Sequence, residues 1–478
     1  MGTNLNFVNG EWTEAETGDT FENTNPADPA DVIGSYQSSS AADAERAIEA
    51  AAEAADEWAA TPGPKRGALL RRTAAALDDR REEATATLVR EEGKTRPEAA
   101  GEVGRAVDIF YYYAEKAREI GGDVKAASGG STDLYTVNEP VGVVSLITPW
   151  NYPIAIPAWK LAPALAAGNT AVLKPASIAP ECARILVECL DEAGAPDGVV
   201  NYVTGSGSKI GGPLSTHEAI DAVSFTGSAE VGHHVYEEAT VEGKRVQTEM
   251  GGKNPTVVTE NADVDRAVNI VGSGAFGVTG QACTATSRAI VHEDVVDDFV
   301  EGIVDYGESL EIGPGDSGAD MGPHVSESEL ESTLKYIELA QDEGATLVSG
   351  GEKVDRDGYF VEPTVFTDVD NGMRIAQEEV FGPVLAVITV SDYEEAVETA
   401  NDVQFGLSSA IVTEDLNEAK QFTRDAEAGI VKVNQKTTGV ELHVPFGGFK
   451  NSSSETWREQ GDAGLDFYTI SKTVYETF

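Results

Sequence analysis

The chain reads as an α/β protein of at least two domains, and three observations predict it. Strand-sized apolar runs, Val141–Ile147, Thr170–Leu173, Val199–Val203, Ala222–Phe225 and Val246–Met250, alternate with helix-sized segments, the rhythm of βαβ units around a parallel sheet. A second series of the same kind starts beyond Gly251-Gly252. At 478 residues the chain also exceeds the size at which one core keeps growing, so separate cores with a cleft between them are expected. Hydrophobic residues make up 41%, enough for two such cores, and 49 Gly with 20 Pro suit alternating strands and helices better than a fibrous or disordered chain.

Residues 7 to 36 read as short strands and turns, with Asn9-Gly10 as a hairpin signal. Three Ala-rich helices follow near 41–60, 64–92 and 96–119, punctuated by Thr61-Pro62-Gly63-Pro64 and Gly93-Lys94-Thr95. The stretch 121–140 looks like an extended hairpin that could seek a partner strand. In the first sheet, the loops Thr148–Pro153, Lys174–Ser177, Gly205–Gly211 and Thr226–Gly232 fall at carboxyl ends of strands, where sheets of this kind bind ligands. The second series predicts a strand over 255–259, a helix over 263–278, a strand over 288–292 and helices over 294–308 and 326–343. Strands near 384–390, 408–413 and 429–434 complete it. Gly251-Gly252 is the expected hinge, which sets Glu249 and Cys283 on facing walls of the cleft. The last stretch, 468–475, alternates like a strand and suits a sheet edge or an oligomer contact.

The net charge of −48, from 82 acidic and 34 basic side chains, is spread over nearly every helix and forms a solvated acidic shell. Self-repulsion of this size is relieved by salt, so a halophile's cytoplasmic protein is expected. The same charge disfavours nucleic acid and anionic membrane as partners. Cys182, Cys189 and Cys283 cannot all pair and form no CxxC, which fits a reducing compartment. The six His show no metal-ligand spacing with Cys or with each other, and no metal is expected. No basic-then-apolar leader begins the chain and no apolar run reaches about 18 residues, so neither export nor membrane insertion is expected.

Cys283 lies in Gly280-Gln281-Ala282-Cys283-Thr284-Ala285-Thr286-Ser287-Arg288, among small polar residues with a cation five places on. Such surroundings favour a thiolate, the nucleophilic form, although a packed thiol is the commoner fate of a free cysteine. Thr148-Pro149-Trp150-Asn151-Tyr152-Pro153 holds the Asn151 amide between prolines and aromatics, a rigid perch of the kind an oxyanion donor requires. Phe225-Thr226-Gly227-Ser228-Ala229-Glu230-Val231-Gly232 ends a strand and opens a helix whose N–H groups can meet phosphate, with capping by Ser228 as the plain alternative. Gly205-Ser206-Gly207 opens a similar but weaker glycine-rich turn. Glu249, before Met250-Gly251-Gly252-Lys253, ends an apolar strand, where partial burial raises a carboxylate toward general-base range. Glu379, before Val380-Phe381-Gly382-Pro383, has the chemistry to bind ribose hydroxyls.

Five of these motifs, Pro149–Pro153, Phe225–Ser228, Glu249–Lys253, Gly280–Cys283 and Glu379–Pro383 in chain order, resemble the aldehyde dehydrogenase superfamily, and the resemblance runs from about residue 7 to the C-terminus. The resemblance implies its fold: a Rossmann-like cofactor domain over 1–120 and 141–250, an α/β catalytic domain over 251–445, and a small β oligomerisation element over 121–140 and 446–478. It implies that Cys283 attacks an aldehyde carbonyl, that the Asn151 amide and the Cys283 N–H hold the oxyanion, and that Glu249 activates the water that hydrolyses the thioester. Lys174 and Glu379 then hold the two riboses. Ile147, Thr148, Pro149, Trp150, Gly207, Phe225, Thr226, Gly227, Ser228, Val231, Met250, Gly251 and Phe381 line the dinucleotide groove. A homodimer or homotetramer is expected.

Relatives that prefer NAD often carry Glu where this chain has Ser177; a serine there, with Lys174 and Lys209 supplying charge, predicts NADP over NAD. Within the superfamily the resemblance is to dehydrogenases of 2,5-dioxopentanoate (α-ketoglutarate semialdehyde), carried by Pro149 to Lys160, Thr279 to Arg288, and Pro445-Phe446-Gly447-Gly448-Phe449-Lys450 leading to Glu459-Gln460-Gly461. The Asn451-Ser452-Ser453-Ser454-Glu455-Thr456 segment departs from the usual Ser-Gly-rich ending. Succinate semialdehyde or betaine aldehyde are the alternative substrates. A CoA-acylating enzyme, which would not need Glu249, and a non-catalytic relative are the alternative functions. A carboxylate substrate needs a cationic pocket, and the sequence does not say which residue supplies it.

Overall fold

A computed structural model describes residues 2–477. Its first large sheet runs Arg245–Glu249, Ala222–Thr226, Val143–Ile147, Thr170–Lys174 and Val200–Tyr202, all parallel, and ends in the antiparallel hairpin of Asn6–Val8 and Glu11–Thr13. Asn9 and Gly10 turn that hairpin with φ of 53° and 78°, the left-handed pair its tight turn requires. The inner strands are buried on both faces, which is why they read as continuous apolar runs rather than alternating ones. Helix Ala155–Ala167, buried along its whole length, packs beside them.

The parallel order matters more than the strand count. The parallel part of the sheet starts in its middle at Val143–Ile147, works outward to Val200–Tyr202, then returns to the other side of its starting strand at Ala222–Thr226. Where the winding reverses, the loops after two neighbouring strands part and leave a crevice. Those loops carry Thr148–Asn151 and Gly227–Ser228.

The second large sheet orders Thr346–Ser349, Thr364–Thr367, Val384–Val390, Thr286–His292, Asn254–Val258, Ser408–Val412 and Ile430–Val433, parallel except for its first strand. Glu249 closes the last strand of the first sheet and Asn254 opens a strand of the second, so the link Met250–Lys253 turns carboxyl ends of one sheet toward amino ends of the other. A third sheet pairs Thr132–Pro140 with Val124–Lys125 and, over its full length, with Thr469–Thr477. The partner strand sought by the 121–140 hairpin is thus the chain's own C-terminal strand, which forms the edge.

Several expectations fail. The second sheet holds two strands, Thr346–Ser349 and Thr364–Thr367, that the sequence reading did not foresee. The single helix expected over 64–92 is two, Gly63–Asp79 and Arg81–Glu92, so four helices precede the hairpin instead of three. No Gly or Pro marks the break. At Arg80 the backbone leaves helical values, with φ −100° and ψ 13°, while its guanidinium binds Glu83 and also Glu188 on a separate helix. A tertiary ion pair at the break is invisible to local sequence. The helix expected to reach 119 also ends earlier, at Lys116.

Candidate active site

Cys283 is presented by a strained loop. Val278, Thr279 and Gly280 are consecutively left-handed, with φ of 53°, 55° and 67°. That run costs energy for the two β-branched residues and persists where packing over-determines it. Glu98 accepts the Val278 N–H at 2.7 Å and the Gly322 carbonyl accepts from Thr279 Oγ1 at 3.1 Å. Gly280 lies so close to the Gly382 carbonyl that a Cβ would collide with it. This contact presses the cysteine loop onto the Glu379–Pro383 turn, whose Phe381 is itself left-handed with φ 59°.

The thiol is half-buried at residue level. Burial, then the carboxylates of Glu379 and Glu249, push it up to about 12, opposed by the backbone N–H groups of Thr284 and Cys283. The resting group is therefore a protonated thiol. Arg288 gives it no help, contrary to the sequence expectation. That residue lies in the following strand, where its buried guanidinium binds the carbonyls of Lys253, Thr399 and Ala400 and the Asn371 side chain.

Asn151 reaches this loop from the first sheet. Its Nδ2 donates to the Gln281 carbonyl at 3.0 Å, two residues before the sulfur. The Asn151 turn is braced from behind: Lys94 Nζ donates to the Asn151 carbonyl and to Glu102 at 2.8 Å, while Glu102 accepts the N–H groups of Ile154 and Ala155, each at 3.1 Å. Sequence reading treated Lys94 as part of a helix break and Glu102 as surface. Both are buried.

Glu249 is fully buried rather than partly so. Its carboxylate accepts from the Gly448 N–H at 3.2 Å, Ser453 Oγ at 3.3 Å and Gln247 Nε2 at 3.3 Å. Burial and the nearby Glu459 hold it well above the usual carboxylate range. It faces Gly448 rather than the cleft, although its charge reaches the thiol. Behind it, Gln247 accepts from Ser224 Oγ at 2.7 Å, Ser224 accepts from Lys160 Nζ at 2.7 Å, and Lys160 pairs with Glu459. Lys160 was the missed member, and it had a visible signal: one lysine inside a helix otherwise entirely apolar.

The crevice at the winding reversal continues to Cys283. It encloses about 780 Å³ between Pro149, Trp150, Asn151, Thr226, Gly227 and Ser228 on one side and Met250, Gly251, Glu379, Val380 and Phe381 on the other. The rings of Trp150 and Phe381 meet edge to face with centroids 5.3 Å apart. Glu379 accepts the Gly252 N–H at 2.9 Å, and burial pushes it up to about 7. Ser228 occupies the cap position of helix Ala229–Val241 but makes no capping bond, so the plain explanation for that serine does not hold. Thr148 Oγ1 and Thr226 Oγ1 are buried without a partner.

Lys174, at the end of its strand, is pushed down to about 8 by burial, and its ammonium has one acceptor, the Pro175 carbonyl at 3.0 Å. Ser177 shares an open cavity with Lys209, Ser38 and Ser206. Its hydroxyl donates to the Gly205 carbonyl at 3.0 Å, so the donation to phosphate expected of it requires that bond to be given up. Gly207 opens helix Gly207–Thr216 at the same mouth. Five expected lining residues lie off the crevice wall. Thr148 and Phe225 are buried, and Gly207 opens its helix at the Ser177 cavity instead. Ile147 is packed in the core with Phe225 and Met250, and Val231 is exposed on the helix surface.

A second cavity meets Cys283 from the opposite side. It encloses about 1210 Å³, lined by Tyr152, Ile156, Trp159, Val278, Val440 and Phe446, with Lys94, Glu98, Glu102, Arg105 and Lys436 among its polar groups. Cys283 is the common wall of the two. Away from both, Glu260, His292 and Asp294 bring possible ligand atoms within 4.8 Å, a grouping across distant positions that sequence spacing could not reveal.

The aldehyde dehydrogenase family model matches residues 12–474. The chain is 64% identical over 478 residues to "Alpha-ketoglutarate semialdehyde dehydrogenase" of Haloferax volcanii, covering 99% of each chain. It is 43% identical over 462 residues to "2,5-dioxopentanoate dehydrogenase" of Saccharolobus solfataricus, covering 96% of this chain and 97% of that one. Among solved structures, betaine aldehyde dehydrogenase from Staphylococcus aureus in complex with NAD+ superposes with a TM-score of 0.96 at 36% identity, covering 99% of this chain and 94% of that one.

Proposed function

This chain belongs to the aldehyde dehydrogenase family, and from that premise we propose that it oxidises 2,5-dioxopentanoate to 2-oxoglutarate, with Cys283 as nucleophile and a nicotinamide dinucleotide as oxidant. The observation that carries the reading is the position of Cys283 as the wall shared by two cavities, one a groove of mixed polar and apolar lining, the other broad and mainly apolar. A substrate carbonyl approaching from the apolar side and a dinucleotide lying in the groove meet at one sulfur. The relatives in Haloferax and Saccharolobus named for this substrate support its choice.

The donors and acceptors present suit a dinucleotide. Lys174 has unused N–H donors, Glu379 has free acceptor oxygens, and Thr148 and Thr226 offer buried unpartnered hydroxyls. The uncapped first turn behind Ser228 offers N–H groups to phosphate. When bound, the dinucleotide supplies a hydride acceptor. Lys174 and Glu379 would hold its riboses, and Trp150 and Phe381 wall the groove. Lys209, whose Nζ has one hydroxyl contact at 3.1 Å in the Ser177 cavity, provides charge for a 2′-phosphate, which favours NADP over NAD.

The Cys283 thiol passes its proton to solvent water in the adjoining cavity, and its sulfur bonds to the aldehyde carbon as the C=O electron pair moves onto oxygen. The Asn151 amide and the Cys283 N–H take the resulting oxyanion. Oxidation leaves a thioester on the sulfur, and Glu249, turning from Gly448 toward Cys283, takes a proton from the water that cleaves it. Splitting the oxidation into acylation and hydrolysis replaces one difficult step with two easier ones. A stopped-flow burst of NAD(P)H on mixing with 2,5-dioxopentanoate, followed by slower turnover, is expected. No burst with any aldehyde, or normal turnover in Cys283→Ala, refutes the reading. Comparing kcat/KM for NADP and NAD tests cofactor choice, and a clear preference for NAD overturns it.

A further inference from the structure

The broad cavity behind Cys283 contains cations that its carboxylates do not neutralise. Its acidic groups are already engaged: Glu98 accepts from Val278 and Thr95, and Glu102 accepts from Lys94, Ile154 and Ala155. Lys94 is spent on Glu102 and the Asn151 carbonyl. Arg105 differs. Its guanidinium donates to the Val440 carbonyl and to Gln460 Oε1 at 2.8 Å, both neutral, and among the described residues it makes no ion pair. Of its five N–H donors these bonds use two, leaving three for a ligand. Lys436, on the same loop as Val440, also lines the cavity and is exposed without a bonded partner. A protein of net charge −48 thus keeps, beside a mainly apolar cavity, two cations that among the described residues have no directly bonded carboxylate.

Burial lowers the Arg105 pKa from its ordinary value, opposed through space by Glu441 and Asp108, neither of which bonds it, and a guanidinium stays protonated at working pH. Desolvating such a charge without a directly bonded counter-ion is costly, and an incoming anion would recover part of the cost. Direct contact is also what survives salt. At about 1 M the Debye length is near 3 Å, so diffuse attraction vanishes while a bidentate arginine–carboxylate pair remains.

Resting on the aldehyde dehydrogenase reading, we propose that Arg105, seconded by Lys436, is the anion anchor of this cavity. It selects aldehydes that carry a carboxylate at the end remote from the carbonyl. The apolar wall of Ile156, Trp159 and Phe446 then holds the carbon chain, and the anchor sets which end meets the sulfur. An aldehyde ending in a quaternary ammonium meets the same cations and is rejected.

The test compares kcat/KM in molar KCl for three aldehydes of matched length: one ending in carboxylate, one neutral, one ending in trimethylammonium. The native enzyme should rank them in that order. Arg105→Met should lower the acid-to-neutral ratio by about 100-fold, the usual range for losing a charged hydrogen-bonded contact, chiefly through KM. Arg105→Lys should restore part of the ratio. Lys436→Ala, at an exposed position, should lower it by about threefold to tenfold, and decides the matter if Arg105→Met does not fold. Unchanged ratios in the folded variants overturn the anchor. A native enzyme that oxidises acid and neutral aldehydes equally well also overturns the anchor but leaves the dehydrogenase standing, whereas no NAD(P)H from any of the three sinks the parent reading instead.

Discussion

The side-chain amide of Asn151 donates to the backbone carbonyl of Gln281 at 3.0 Å, which ties an oxyanion donor from the first sheet to the loop that carries Cys283. The amide nitrogen keeps its second N–H for an oxyanion at the sulfur. Removal of one such donor typically lowers kcat by about 10²- to 10³-fold. Asn151→Ala should show that loss in kcat, with dinucleotide affinity, read by fluorescence titration, changed by less than about threefold.

The thiol of Cys283, pushed up to about 12 by burial and by two carboxylates, should be sluggish toward alkylation at neutral pH. Iodoacetamide inactivation of the dinucleotide-free enzyme should accelerate about tenfold per pH unit between pH 7 and 9. A rate that is flat over this range would show that the resting sulfur is already ionised.

Glu249 is held above the carboxylate range, and a base works in its ionised form. Deacylation should therefore rise with pH through the raised pKa, whereas a carboxylate of ordinary pKa would give a flat profile from pH 5 upward. Glu249→Gln should retain the burst of NAD(P)H but lose about 100-fold or more in steady-state turnover.

Glu379 sits at about 7 in the fold against roughly 4.3 in an unfolded chain. The folded state therefore binds the proton more tightly, and the stability linked to that proton is lost as pH rises from about 4.3 to 7. Glu379→Gln removes the ionisable group. Its Tm should exceed that of the native protein at pH 8 and match it near pH 4.5, while ribose contact and dinucleotide affinity fall. An equal Tm difference at both pH values would contradict the burial argument.

A chain with 82 acidic and 34 basic side chains should melt at higher temperature as KCl rises toward molar concentrations, because screening shortens the reach of self-repulsion. Calorimetry at about 0.1 M and 2 M salt measures it, and a Tm indifferent to salt removes the basis for reading the acidic shell as an adaptation.

Local sequence alone determined the parallel strands of the first sheet and five strands of the second to within a residue or two, the Asn9-Gly10 hairpin, and the five loops that carry the chemistry, but not the strands Thr346–Ser349 and Thr364–Thr367. Each of those rests on short-range physics: apolar runs that must be buried, and turns that need glycine, asparagine or proline. Tertiary structure alone decided what those loops do to one another. The break at Arg80 sits at an ion pair to Glu188, 108 positions away. Arg288, five places from the thiol in sequence, spends its charge on other carbonyls. Arg105 and Lys436, 331 positions apart by their numbers, border one cavity. Burial, desolvation and charge pairing are set by neighbours in space, and no window along the chain contains them.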